Sequence, residues 1–163
     1  MTGAKAMTKG GAPIKARLAG LRRRHGWRRR LEAVTDEWRR AAFAWGRRDC
    51  ARFAAACVAA VTGIDPQQAL SNPDYATPEE GLKALRKAGA RSLPELAGLL
   101  FEPVPPAMAQ TGDLAAIVPE GENRFGAALA VVLGERLIVV TEHGLDSRDR
   151  TEAIAAWAVG RAI

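Results

Sequence analysis

The apolar positions of this chain change their period along its length, predicting helices first and strands after. Trp27, Leu31, Val34, Trp38 and Ala41 recur at spacings of three and four, with arginines and acids between them. That spacing predicts an amphipathic helix from Trp27 to about Ala42, with both tryptophans on its covered face. An alanine-rich run from Cys50 to Thr62 predicts a second helix, opened by Asp49 as N-cap and stopped by Gly63. Ile64 to Tyr75 reads as a loop, because Asp65-Pro66 and Asn72-Pro73-Asp74 are turn signals. Thr77-Pro78-Glu79-Glu80 opens a third helix: Thr77 caps, Pro78 takes the first helical position, and Glu80 completes a capping box. Leu82 and Leu85 face inward and Gly89 ends this helix. Ser92-Leu93-Pro94-Glu95 repeats the start signal for a short helix to about Leu100, after which Pro103, Pro105 and Pro106 force an extended connection.

Beyond Gly112 the pattern becomes that of a sheet. Leu114–Val118, Ala127–Leu133 and Arg136–Val140 read as strands, so continuously apolar that at least one is buried on both faces. Gly134-Glu135 suits a two-residue hairpin turn with glycine first. Such a turn sets Leu133 opposite Arg136. Continued down the ladder, it sets Ala128 opposite Thr141 and Gly126 opposite His143. A short helix over Thr151–Ala156 and a last strand over Trp157–Ile163 complete the expectation. Helices followed by an antiparallel sheet make an α+β domain.

Charge divides the chain. Residues 1–30 hold ten Lys or Arg and no acid, while the remainder holds 14 basic and 18 acidic residues, a net of −4. Residues 1–25 are therefore expected to be a disordered basic arm, with Met7 an alternative start, and residues 26–163 a single domain. The arm could touch nucleic acid or an acidic partner, but it has no interleaved aromatics on which bases could stack. The acidic remainder argues against a nucleic-acid face on the domain itself. No apolar run is long enough for a membrane span, and the N-terminus lacks the apolar region of a signal peptide, so synthesis and folding in a cytoplasm are expected. Cys50 and Cys57, seven residues apart on one helix, are separated by roughly 10 Å along its axis and do not form a disulfide. Two His and two Cys give no zinc spacing, and no metal or other cofactor is expected.

The stretch from Ala44 to Ala54 carries the candidate chemistry. A cysteine at the first position of a helix faces the positive end of the helix dipole and the unpaired amides of the first turn. Both favour thiolate over thiol. Arg47, Arg48 and Arg52 add positive charge, and Gly46 lets the backbone turn sharply or approach another group closely. Cys50 is thus a candidate nucleophile, and Trp45, Gly46 and Arg52 are candidate binding residues beside it. The competing reading is a buried cysteine that packs like a small hydrophobe.

Asp49-Cys50 at a helix start, Gly112-Asp113-Leu114 at a strand start and the hairpin over Ala128–Gly134 together resemble the NlpC-type cell-wall cysteine peptidases, which have a compact papain-like fold. A longer run resembles an uncharacterised family encoded in phage and prophage tail gene clusters, related to those peptidases. It comprises Phe43-Ala44-Trp45-Gly46, Asp49-Cys50, Phe53-Ala54, Thr62-Gly63-Ile64-Asp65-Pro66, Gly112-Asp113, Gly144-Leu145 and Ala156-Trp157. The resemblance covers Trp27 to the C-terminus. It implies N-terminal helices with the cysteine at a helix start, packed on a small antiparallel sheet.

In the peptidase family the cysteine attacks an amide of the peptidoglycan stem peptide. A His at the start of the second strand is the base, and a polar residue near the end of the third orients it. By resemblance Cys50 matches the nucleophile, Ala128 falls where the His belongs, and Val140 or Thr141 falls near the orienting position. The Ser-Gly that follows Asp-Cys in the family is Ala51-Arg52 here. Without a base, general acid–base help of about 10²–10⁴-fold is lost. His143, on the hairpin face of Ala128 and displaced by one pleat of about 7 Å, is the candidate replacement. Otherwise it sits in an exposed turn. Asp113 is a candidate orienting group or a structural residue of the Gly-Asp pair.

The function expected from the resemblance is a tail-associated protein, made in the bacterial cytoplasm and carried in the virion tail. Its partners would be other tail proteins and peptidoglycan. Whether it is a cysteine hydrolase or a non-catalytic assembly subunit stays open at this point.

Overall fold

A computed structural model of the chain describes residues 20–69 and 74–162. Among the described residues, four α-helices precede or lead into a six-stranded, open antiparallel sheet. The helices are α1 (Trp27–Trp38), α2 (Cys50–Thr62), α3 (Pro78–Lys87) and α4 (Leu93–Leu100). The strands are β1 (Glu102–Val104), β2 (Leu114–Ile117), β3 (Ala128–Leu133), β4 (Arg136–Thr141), β5 (Gly144–Asp149) and β6 (Ala155–Ala158). The sheet order is β1-β6-β2-β3-β4-β5, every neighbouring pair antiparallel.

The helix starts follow their sequence signals. Asp49, Thr77 and Ser92 are extended N-caps whose side chains accept from the backbone N–H of Arg52, Glu80 and Glu95 respectively. Gly63 closes α2 in the left-handed region, at φ 82°. Helix α1 stops at Trp38, earlier than its apolar spacing predicts.

Helix α2 lies at the centre. Its alanines let α1 approach on one side and β3 and β4 on the other. Phe53, fully buried, meets the Trp38 ring of α1 at 5.3 Å between centroids. The sheet face turned to the helices carries Leu114, Leu129, Val131 and Trp157. Its other face carries Ile117, Val132, Leu137 and Val139, closed by Val104 and Ala109 from the ends of the β1–β2 connection. Strand β2 is therefore buried along its whole length, as its unbroken apolar run predicts.

Three expectations are corrected. Glu102–Val104 is a strand on β6, not merely a proline-rich connection: its one proline, Pro103, is tolerated because β1 is an edge. Gly144–Asp149, assigned to no element from the sequence, is the opposite edge strand β5, paired to β4 over its full length. Its outer side meets the end of α1, where the Arg39 carbonyl accepts the Leu145 N–H. The stretch Thr151–Ala156 is not a helix. Arg150–Glu152 forms a single 3₁₀ turn capped by Asp149, and the last strand begins at Ala155 rather than Trp157.

The β3–β4 turn is as expected, with Leu133 opposite Arg136 and Gly134 at φ 59°. The ladder, however, runs only to Val131–Ile138. Ala128 and Thr141 are not paired, because the two strands part at that end. Of the expected arm, residues 1–19 lie outside the described residues. Residues 20–25 are placed, and Arg23 and Arg24 donate their backbone N–H to Gly160 and Val61.

Candidate functional site

The parting of β3 from β4 opens a cleft of about 640 Å³ over the start of α2. Residues from both faces of the sheet line it, Leu129 and Val140 from the helix side and Ile117 and Val139 from the other. Its volume lies within the range of ligand sites, about 300–1,000 Å³.

Cys50 lines this cleft at the first position of α2 and keeps part of its surface open. The amides of Leu129, Cys50 and Ala51 favour the thiolate, as the helix start predicts. Desolvation outweighs them, and with the adjacent Asp49 carboxylate it pushes the thiol up to about 11. The expected activation is therefore reversed. The helix terminus supplies the predicted amides, but the surrounding core removes the water a thiolate needs. Cys57 is buried deeper on the same helix, and desolvation raises it further. Both cysteines are free.

Asp49 does more than cap. Only 2% exposed, it accepts the N–H of Arg52 (2.8 Å) on one oxygen. On the other it accepts the N–H of Gly46 (2.8 Å) and the Tyr75 hydroxyl (2.6 Å). Burial and Asp49 together raise the Tyr75 phenol, which stays a donor. Tyr75 sits at the far end of the loop expected over Ile64–Tyr75, of which residues 70–73 lie outside the described residues. Gly46 has φ 77°, and a Cβ there would fall 1.7 Å from the Tyr75 carbonyl oxygen. This is the close approach its position predicted.

Trp45 and Tyr75 line the cleft, whereas Gly46 and Arg52 support its wall from behind. Arg52 holds its guanidinium 4.8 Å from the Tyr75 ring centroid and donates to the Gln67 side chain at 2.8 Å. Trp45 stacks on Phe125 at 5.4 Å and meets Phe43 edge-on at 5.0 Å, giving the cleft an aromatic wall. Phe125 and Tyr75 were not singled out from sequence. Each belongs to a connection, and a lone aromatic in a polar turn has no period to reveal it.

His143 is exposed in the β4–β5 turn and lines the same cleft as Cys50. Its backbone N–H donates to Thr141 Oγ1 at 3.1 Å, and among the described residues no hydrogen bond joins its ring to the cysteine. Ala128 also lines the cleft.

Asp113 does not line the cleft. Fully buried, it accepts from Arg23 (2.9 Å), Arg161 (2.6 Å) and the backbone N–H of Val159 (3.0 Å) and Gln110 (2.8 Å). It ties the segment before α1 and the segment after β6 to the sheet. This turns Arg23, one of the basic residues expected to serve an outward arm, into the fold. Among the described residues no His, Cys, Asp and Glu group could hold a metal ion, and no helix is long and apolar enough to cross a membrane.

Fold and site together define an α+β domain in which a helix-initial cysteine looks into an aromatic cleft between parted strands. The chain belongs to the family described as a domain of unknown function, DUF6950, whose pattern it matches over residues 22–159. That span takes in Arg23, every helix and strand among the described residues, and the residues that line the cleft. No curated protein matches the chain significantly.

Proposed function

We propose that this is a phage or prophage tail protein built on the NlpC-type, papain-like plan, and that its cleft holds a peptide ligand instead of cutting it. It is made in the bacterial cytoplasm and carried into the virion tail, where it docks other tail proteins. One observation carries the reading: the Cys50 thiol, pushed up to about 11, lies in a cleft that has Ala128 where the peptidase family has its base. At pH 7 a thiol raised that far is almost wholly protonated. A nucleophile so rarely charged, without an imidazole bonded to it, is a poor match for amide cleavage. The aromatic wall and the cleft volume remain suited to holding a ligand.

Alkylation tests this. Iodoacetamide labelling of Cys50, followed by mass spectrometry in a Cys57→Ala background, is expected to be slow at pH 7 and still rising at pH 10. A rate that levels off near or below pH 8 overturns the reading.

A second reading, a peptidoglycan stem-peptide hydrolase using Cys50 and His143, draws support from the shared cleft. It requires stem-peptide release from purified peptidoglycan that is lost on both Cys50→Ala and His143→Asn. Absence of release in the unaltered protein disposes of it.

A further inference from the structure

The charges around the cleft are uneven. Glu120, Glu122, Glu142 and Asp146 line it, from the β2–β3 connection, the β4–β5 turn and β5. None of the four forms a salt bridge among the described residues. Two arginines share the lining, but each is held by a carboxylate outside it: Arg124 by Glu79 at 2.9 Å, and Arg148 by Glu152. Arg148 also feels Glu120 and Asp146, so its charge offsets part of their field. The balance at the mouth remains acidic, and behind it stands the stacked Trp45–Phe125 wall. Aromatic faces and carboxylates both attract cations, and low-dielectric walls strengthen the field between them.

The rim of the opening narrows the choice of ligand. Asp146 and Arg148 belong to β5, an edge strand whose backbone is already engaged on its outer side: Leu145 N–H donates to the Arg39 carbonyl, Ser147 N–H to the Asp146 carboxylate and Asp149 N–H to the Glu152 carboxylate. With those donors taken, recognition at this opening falls to the side chains that line it, and these are carboxylates and aromatic rings.

Resting on the ligand-holding reading above, we infer that the cleft takes a lysine- or arginine-bearing peptide segment of another protein. Its cationic side chains sit among Glu120, Glu122, Glu142 and Asp146. Electrostatic docking of this kind sets selectivity for charge and weakens with salt.

The test uses the full chain and three capped pentapeptides of alternating alanine with lysine, glutamine or glutamate. Binding is read by calorimetry and by tryptophan fluorescence. The lysine peptide is expected to bind at least tenfold more tightly than the glutamine peptide and to lose that advantage as salt rises. Replacing three cleft acids (Glu122→Gln, Glu142→Gln, Asp146→Asn) is expected to cost tenfold or more. Removing equal charge elsewhere, by Glu32→Gln, Glu37→Gln and Glu95→Gln, is expected to cost less than twofold.

If the glutamine peptide binds as well as the lysine peptide, or the control variant loses as much as the cleft variant, the charge preference is overturned while the ligand-holding reading stands. If no peptide binds, with residues 1–19 present or deleted, both fall. If the lysine peptide binds only after that deletion, the chain's own basic segment is the occupant, and the proposal of an outside partner is overturned.

Discussion

The helix terminus and burial pull the Cys50 thiol in opposite directions. A helix start favours an anion by about 0.3–1 kcal/mol at an exposed site. The rise to about 11 from the ordinary thiol value of about 8.5 corresponds to about 3 kcal/mol against the anion. Desolvation wins because Cys50 packs against the core that Phe53 and Leu129 build. The sign of the pH effect follows. A thiol whose pKa is raised by folding stays neutral in the folded state while the unfolded chain ionises near pH 8.5. Stability is therefore intact below that pH and falls as pH climbs toward 11. Replacing Cys50 and Cys57 by alanine is expected to flatten the decline in urea midpoint between pH 8.5 and 10.5. Each thiol contributes at most about 1.4 kcal/mol per pH unit. Parallel curves for the variant and the parent protein would contradict the burial argument.

Among the elements, the start of α2 matters most, because three parts of the site converge on its cap. Asp49 holds the helix terminus, the Gly46 turn and the Tyr75 loop with one carboxylate. Asp49→Ala is expected to cost about 2 kcal/mol or more, above the usual range for a cap, since Gly46 N–H and the Tyr75 hydroxyl lose their acceptor too. Denaturant titration measures the loss, and a cost below about 0.5 kcal/mol would mean that solvent replaces the carboxylate. The three caps at Asp49, Thr77 and Ser92 were legible because a cap is a local contest between a side chain and the next turn. Strands β1 and β5 were not. Their partners, β6 and β4, decide that they are strands, and their own residues include a proline in one case and charges in the other. The parting of β3 and β4 was invisible for the same reason. The Gly134 turn sets the first pairs, but packing of Phe43 and α2 against the far end decides where the ladder stops.

Across the whole molecule, Asp113 joins sequence-distant parts. It draws Arg23 from the start of the described chain and Arg161 from its end onto one fully buried carboxylate. Asp113→Asn leaves two largely buried guanidinium groups short of a counter-charge and is expected to cost about 3–5 kcal/mol. The unfolding midpoint in urea checks this. A change within 1 kcal/mol would show that solvent reaches both arginines. The Cys50 alkylation profile is a separate readout, expected to be unmoved where the variant stays folded, because Asp113 lies outside the cleft.

The sequence by itself determined what short range controls: where α2, α3 and α4 begin, the close approach at Gly46, the first pairs of the β3–β4 hairpin, and the order of helices before sheet. It also placed Cys50 at a helix start. Tertiary structure decided the rest, because desolvation, pairing at a sheet edge and the distance between turns depend on residues far apart in the chain. It brought Tyr75, Phe125 and His143 around one opening, carried Asp113 away from it, and reversed the tendency that the helix start gives the Cys50 thiol.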